Sequence, residues 1–503
     1  MKSIKLKVVA VIALVATFAV GGVHSASAAD TIDPSKPVSL TINKYEGDPT
    51  PTAPNAVPVA PTNGAKPLDG AQFKIEAVNG IDLSTQAGWS NAALLTDADK
   101  GNDPTVTYTD VTTLTTSAGT ATISTSTNTA FKVGMYRVTE LQKAGYTIAP
   151  PFYVTLPYSD PATGAWTYNL NVYPKNQNVT PTKTVNDSVA TVGKNLTYTI
   201  KAPVPAGTLD RFNVVDTLVS ELALQSSPAA QVTVVGASAL TLDPGDYSVT
   251  YDNNILKVVF STSGLQKLQN ARVGDPTLAV QVVFEAKVLS VPSADATVKN
   301  TASIELPNAG SVQTGQTATV LANVNITKSS TSSGVTADQL NGATFEVYRC
   351  SDPDADGKFT LDGSALVISN VATTTATDPQ TTNATLVTAG GTADNATKSS
   401  ITGYGLPYSS AGSDGAVVVN KFCVLETKAP AGFVRNPEVL PLTNWDPATH
   451  TYSIDVNNVK DSLLGQLPAT GAFGIVIIFL IGIALLGRGF YTSRRDNEKA
   501  ATA

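Results

Sequence analysis

Along most of its length the chain alternates apolar and polar residues in short runs rich in Val, Thr, Ile and Tyr. Gly, Pro, Asn and Asp separate the runs. A period of two over roughly four to eight residues predicts half-buried β-strands, and turns at this spacing suit β-sandwiches. No long amphipathic helix is expected. The predicted fold class is all-β. Two continuous apolar stretches, Val8 to Val20 and Ala472 to Leu486, stand outside the pattern.

Comparison of the chain with itself exposes a repeat. LTINK (Leu40 to Lys44) is echoed by VNITK (Val324 to Lys328), and LDGAQFKIEAV (Leu68 to Val78) by LNGATFEVYRC (Leu340 to Cys350). YRVTELQKAGY (Tyr136 to Tyr146) is echoed by FCVLETKAPAGF (Phe422 to Phe433), and TYNLNV (Thr167 to Val172) by TYSIDV (Thr451 to Val456). Four matches in one order predict two copies of a single sandwich, 29–176 and 324–461, flanking a different domain at 177–323. The Pro-rich segment Gly47 to Pro67 reads as an exposed loop within the first copy.

The two-residue period places a polar residue on each apolar face of the repeated strands. Lys44 follows Leu40 and Ile42, and Glu140 follows Tyr136 and Val138. In the second copy Lys328 follows Val324 and Ile326, Glu426 follows Phe422 and Val424, and Asn458 follows Ile454 and Val456. The stretch WTYNLNVYPKN (Trp166 to Asn176) behaves alike. Leu170 and Val172 take one face, with Tyr168 and Tyr173 near the other. Continued alternation turns Lys175 to solvent and Asn176 inward. The middle domain has its own set: Lys183 alternates with Val179 and Val185, Asp216 follows Phe212 and Val214, and Asn300 lies between Val298 and Ala302.

Buried, unpaired Lys and Glu are costly, so these positions need a common cause. One candidate is a buried salt bridge with an asparagine hydrogen bond, which costs desolvation and seldom stabilises much. The other is covalent. A lysine in an apolar pocket is partly neutral and nucleophilic, while a buried carboxylic acid stays protonated and shuttles protons. Attack on the asparagine carboxamide expels ammonia and leaves an amide cross-link.

The chain ends narrow the setting. Three lysines in MKSIKLK, the apolar run to Val20 and small residues at Ala26 and Ala28 predict a secretory signal peptide over 1–28. At the other end LPATG (Leu467, Pro468, Ala469, Thr470, Gly471) precedes the apolar run and then Arg488, Arg494 and Arg495. The order is linker and motif at 462–471, membrane segment at 472–490 and basic cytoplasmic tail at 491–503. This resembles the cell-wall sorting signal of Gram-positive surface proteins, and implies cleavage by a sortase between Thr470 and Gly471.

Composition excludes several classes. A net charge of −7 gives a nucleic-acid partner no support, and 2 His with 2 Cys leave no recognisable enzyme constellation. No cofactor is expected. In a secreted chain, Cys350 and Cys423 most simply form one disulfide, since Cys423 lies off the Glu426 face; two free thiols are the alternative. DPDADG places Asp352, Asp354 and Asp356 as in a calcium loop, yet Gly363 stands where the bidentate Glu belongs. A solvated turn is the first reading, an incidental Ca²⁺ site the second.

Taken together, these residues resemble Gram-positive pilins and collagen-adhesin-like surface proteins. FCVLETKAPAGF resembles the family's E-box, Y-x-L-x-E-T-x-A-P-x-G-Y; YRVTELQKAGY is one residue shorter and lacks its Thr and Pro. WTYNLNVYPKN resembles the pilin motif W-x-x-x-V-x-V-Y-P-K, with Leu170 for the first Val. The resemblance implies three tandem immunoglobulin-like sandwiches of B, A and B type. It implies cross-links Lys44–Asn176, Lys183–Asn300 and Lys328–Asn458, served by Glu140, Asp216 and Glu426. It further implies a secreted, wall-anchored shaft subunit of a fimbrium. Its Lys175 would be joined by a class C sortase to Thr470 of an identical subunit. A housekeeping sortase, peptidoglycan and tip or base accessory pilins would be the other partners. A singly displayed adhesin is the alternative.

Overall fold

The structure is a computed structural model of the chain. It describes residues 32–49, 64–95, 106–160, 164–461 and 479–489, with short breaks at 189, 226–227, 238–239, 378–381, 384 and 412–416. The expected signal peptide, the LPATG motif with Thr470, and the basic tail lie outside the described residues.

Strands dominate, as the alternation predicts. In the N-terminal part, Ser39–Asn43 runs antiparallel to Thr120–Ser124 and parallel to Asn169–Val172. A second sheet holds Tyr108–Thr115, Gln72–Val78, Gly134–Glu140 and Phe152–Leu156. Leu40, Ile42, Phe73, Ile75, Val138, Leu170 and Val172 fill the space between the sheets. The C-terminal part repeats this plan. Thr317–Ser330 pairs parallel with Thr451–Asn458 and antiparallel with Ser400–Ala411, opposite a sheet containing Thr344–Cys350 and Phe422–Lys428. Even the register repeats: Phe73 stands opposite Glu140, and Phe345 opposite Glu426. Between them two further sheets enclose a core that includes Leu196, Phe212, Val214, Phe284 and Val298.

Three features depart from the sequence expectations. Tyr168 is buried on the face of Leu170 and Val172 rather than near the opposite one. A period of two puts positions 168, 170 and 172 together, and the Tyr168 hydroxyl is satisfied by the Asp33 N–H at 3.0 Å. Two helices, Gln86–Leu95 and Thr262–Gly274, interrupt the strands. The second starts at Ser261, whose hydroxyl accepts from the Gly264 N–H. It buries Gly264, Leu265, Leu268 and Arg272, with Ala271 partly buried beside them, so its aliphatic stripe is short and the sequence shows little periodicity. Finally, Thr317–Ser330 runs unbroken through the expected boundary at 323/324, giving Leu321 to the middle core and Val324 and Ile326 to the C-terminal one.

The expected membrane segment at 472–490 also finds no support. Residues 479–489 are helical, and among the described residues no helix is long and apolar enough to cross a membrane.

Candidate functional sites

The inward-facing polar residues assemble into three buried clusters. In the N-terminal site, Lys44 extends the apolar face of Ser39–Asn43, Glu140 ends Gly134–Glu140, and Asn176 lies in the short strand Lys175–Asn176. Lys44 Nζ donates to Asn176 Oδ1 at 2.6 Å and to Glu140 Oε2 at 3.0 Å, while Asn176 Nδ2 donates to Glu140 Oε1 at 2.6 Å. In the C-terminal site, Lys328 Nζ donates to Asn458 Oδ1 and lies 3.4 Å from Glu426 Oε1, which accepts from Asn458 Nδ2 at 2.9 Å. All six residues are buried. In each site the lysine precedes its asparagine by more than a hundred residues, and the strands that carry them close one sandwich.

The middle site is wired differently. Lys183 Nζ donates to Asp216 Oδ2, and both side chains are almost wholly buried. Asn300, also buried, lies beside Asp216 yet makes no well-formed hydrogen bond through its carboxamide. It sits in Thr297–Asn300, paired with Thr317 at the start of the long strand.

Burial is the chief electrostatic influence. It lowers Lys44 and Lys183 to about 8, against the opposing attraction of Glu140 and Asp216. Lys328 is lowered for the same reason, with Glu426 opposing. Burial raises Asp216, so low polarity drives the middle pair towards neutral amine and neutral acid. Aromatic rings wall each lysine: Phe73 over Lys44 at 5.6 Å, Tyr198 over Lys183 at 5.0 Å and Phe345 over Lys328 at 5.8 Å. In the two outer sites the lysine nitrogen lies within hydrogen-bond distance of the carboxamide oxygen, a spacing from which a neutral amine can attack a carbonyl carbon while a carboxyl relays the proton.

Two backbone groups complete the outer sites and were not legible in the sequence. The N–H of Ala149 donates to Glu140 Oε2 at 2.9 Å, and that of Asn436 to Glu426 Oε2 at 2.6 Å. They follow their glutamates by nine and ten residues, in step with the one-residue difference between the two boxes. No side chain advertises such a donor.

Lys175 shares its strand with Asn176 but points the other way. It is partly exposed rather than fully projecting; its backbone pairs with Tyr45, and among the described residues its side chain makes no hydrogen bond or ion pair.

Cys350 and Cys423 form a disulfide, Cα atoms 5.8 Å apart, on the opposite side of the strand from Glu426. A cross-link spanning a separation of 73 residues contributes about 4 kcal/mol in the chain-entropy account. Alkylation of denatured, unreduced protein is expected to label neither cysteine, and both after reduction; labelling without reductant would contradict the bond.

In the acidic loop the carboxylates engage a neighbouring lysine and the loop's own backbone. Asp352 pairs with Lys421, and Asp354 Oδ1 accepts from the N–H groups of Asp356 and Lys358 at 2.9 and 2.8 Å. Among the described residues no three His, Cys, Asp or Glu are placed to hold a metal ion. The carboxylates close a turn instead.

Comparisons with known proteins agree with this architecture. The family model for the Gram-positive pilin subunit D1, N-terminal domain, matches residues 38–177. The chain is 30% identical to fimbrial subunit type 2 of Actinomyces naeslundii, over 89% of this chain and 87% of that protein. It is 28% identical to fimbrial subunit type 1 of Actinomyces viscosus, over 91% and 90%. Among solved structures, the full-length major pilin SpaD of Corynebacterium diphtheriae superposes with a TM-score of 0.58 at 26% identity, covering 86% of this chain and 99% of that one. With such identity sustained across nearly the whole chain, on a fold shared with a major pilin, the chain belongs to the family of Gram-positive fimbrial subunits and is a structural subunit of a cell-surface pilus backbone.

Proposed function

We propose that this pilin is a covalent building block at two levels. Within each subunit Lys44–Asn176, Lys183–Asn300 and Lys328–Asn458 become amide bonds, with Glu140, Asp216 and Glu426 moving the proton. Between subunits a class C sortase joins Lys175 of one to Thr470 of the next. A housekeeping sortase then fixes the finished fibre to peptidoglycan, and accessory pilins occupy tip or base. The three buried cores support a division into units of 29–176, 177–323 and 324–461.

One observation carries the intramolecular reading: a lysine, an acid and an asparagine are buried together three times, in the two outer domains beside the parallel pairing of first and last strands. A salt bridge repeated this way stabilises little, because desolvation offsets the attraction. A fibre one subunit wide passes its whole load through every domain. A bond between first and last strands carries that load past the hydrogen bonds. Intact-mass measurement tests the reading. Each bond expels ammonia, so the mature protein should weigh about 17 Da less per bond, for three bonds in all. A mass equal to that of the unmodified sequence would leave only the salt bridge.

The lysines also set a pH dependence. With Lys44 and Lys183 near 8, the neutral, nucleophilic fraction rises about tenfold per pH unit up to that point and then levels. Cross-linking of freshly synthesised chain at these two sites is expected to follow that curve; a rate unchanged between pH 6 and 8 contradicts it. In a chain that cannot cross-link, the folded pKa lies below the unfolded one. The unfolded state then binds more protons between about 8 and 10.5, and stability rises with pH across that window.

A further inference from the structure

Glu140 accepts from Lys44 Nζ and the Ala149 N–H on Oε2, at 3.0 and 2.9 Å, and from Asn176 Nδ2 on Oε1 at 2.6 Å. Lys44 and Asn176 are the groups to be joined. The Ala149 N–H is not, and it fixes the rotation of the carboxyl between them. That N–H shares one planar peptide unit with the Ile148 carbonyl. Whatever holds the Ile148 oxygen therefore aims the Ala149 hydrogen.

The two copies of the sandwich hold this peptide differently. In both, the box turns back onto the residue just beyond the asparagine. The Tyr146 N–H donates to Lys143 and the Thr147 N–H to Gln177, as Phe433 does to Pro430 and Val434 to Val459. The next residue is Ile148 in one copy and Arg435 in the other. Arg435 Nη1 donates to the backbone oxygen of Glu426 at 2.9 Å, so the C-terminal copy staples its donor peptide from within. An isoleucine side chain has no donor. Instead the Ile148 oxygen accepts from Asn308 Nδ2 at 3.1 Å, and Asn308 belongs to the middle domain. The same turn grips the start of the box: the Ser311 N–H donates to Gln142 Oε1 at 2.9 Å. Gln142 Nε2 in turn donates to the oxygens of Lys143 and Tyr146 at 2.7 and 2.9 Å. Asn308 and Ala309 both hold a left-handed backbone, φ 59°. Asparagine tolerates that region and alanine resists it, so the turn meets the box at a local cost.

We propose that Asn308 is a positioning residue for the N-terminal cross-link, holding from the neighbouring domain the Ile148–Ala149 peptide that orients Glu140. This rests on reading Lys44, Glu140 and Asn176 as a self-cross-linking centre. There the neutral Lys44 Nζ attacks Asn176 Cγ and the new C–N bond forms. The Glu140 carboxyl takes one proton from Nζ and gives its own to Nδ2, the Cγ–Nδ2 bond breaks and ammonia leaves. A backbone N–H can only donate, so Ala149 keeps the carboxyl proton off Oε2 and on Oε1, the oxygen beside the departing nitrogen. The middle domain thereby completes a site to which it contributes no reacting atom.

The test follows linkage with time in the mature chain made by cell-free synthesis, by quenching and mass-mapping the three junctions. Asn308→Gly keeps the left-handed turn and removes the donor; Asn308→Asp keeps the shape and sets an acceptor against the Ile148 oxygen. Each is expected to slow the Lys44–Asn176 linkage about fivefold, the size expected from one neutral hydrogen bond. The Lys183–Asn300 and Lys328–Asn458 linkages, as internal controls, should keep their rates. Asp48→Ala removes the Arg272 contact between the same two domains without touching the Ile148 peptide, and should leave the Lys44–Asn176 rate unchanged. The pH profile separates aim from packing. Its midpoint, set by Lys44 near 8, should stay while the plateau falls, whereas a pocket opened to water would move it towards the ordinary lysine range. An unchanged Lys44–Asn176 rate in either Asn308 variant overturns the proposal. So does a shifted midpoint, equal slowing by Asp48→Ala, or equal slowing at Lys183–Asn300. A wild-type chain with no Lys44–Asn176 linkage would instead overturn the underlying reading of the site.

Discussion

Replacing Lys175 by alanine is expected to leave a folded, surface-attached subunit and to abolish the ladder of SDS-resistant multimers in cell-wall extract. Among the described residues the side chain makes no hydrogen bond or ion pair, so its loss removes no polar contact there. What it removes is the amine that would take the acyl group from the sortase. Lys175→Arg separates charge from nucleophilicity: a guanidinium keeps the charge but is never deprotonated in this setting. Both variants should run as a single band, with an unchanged internal mass deficit, because Asn176 still faces Lys44. A ladder that persists in either variant would remove Lys175 from the intersubunit bond.

Glu426→Ala is expected to have the next largest effect, confined to the C-terminal domain. It deletes the acceptor for Asn458 Nδ2 and the partner of the Lys328 amine, and leaves the Asn436 N–H without its carboxylate. Without a proton relay the bond does not form, and one ammonia mass of about 17 Da returns. A lysine buried without its counter-charge costs about 3–5 kcal/mol. Losing a covalent tie across a separation of 130 residues removes about 5 kcal/mol more, if a cross-link acts as a disulfide does in the chain-entropy account. Limited proteolysis should then cut the C-terminal domain first, with the N-terminal and middle linkages intact by peptide mapping. Glu426→Gln keeps the shape and should fail in the same way. Normal cross-linking in either variant would show that Glu426 is no relay.

Alternation alone determined much about this protein. Because successive side chains in a strand face opposite ways, Leu40, Ile42 and Lys44 had to share a face, and so did Phe422, Val424 and Glu426. The internal repeat announced two copies of one sandwich, and two cysteines in one copy announced their bond. Tyr168 obeys the same rule, sharing the face of Leu170 and Val172. What alternation cannot supply is the partner. It names the face of a residue, not the strand lying against it, so the meeting of Lys44 with Asn176 across 132 residues is decided by sheet topology. Backbone donors such as the Ala149 N–H carry no residue identity and become visible only when a loop folds back. That one strand, Thr317–Ser330, runs unbroken across the boundary expected at 323/324 is not legible from alternation, because a strand serving two cores reads like one serving a single core. That Asp216 bonds Lys183 and leaves the Asn300 carboxamide without a well-formed hydrogen bond, where the longer glutamates of the outer sites reach both, is a matter of one methylene in three dimensions, and only the tertiary structure decided it.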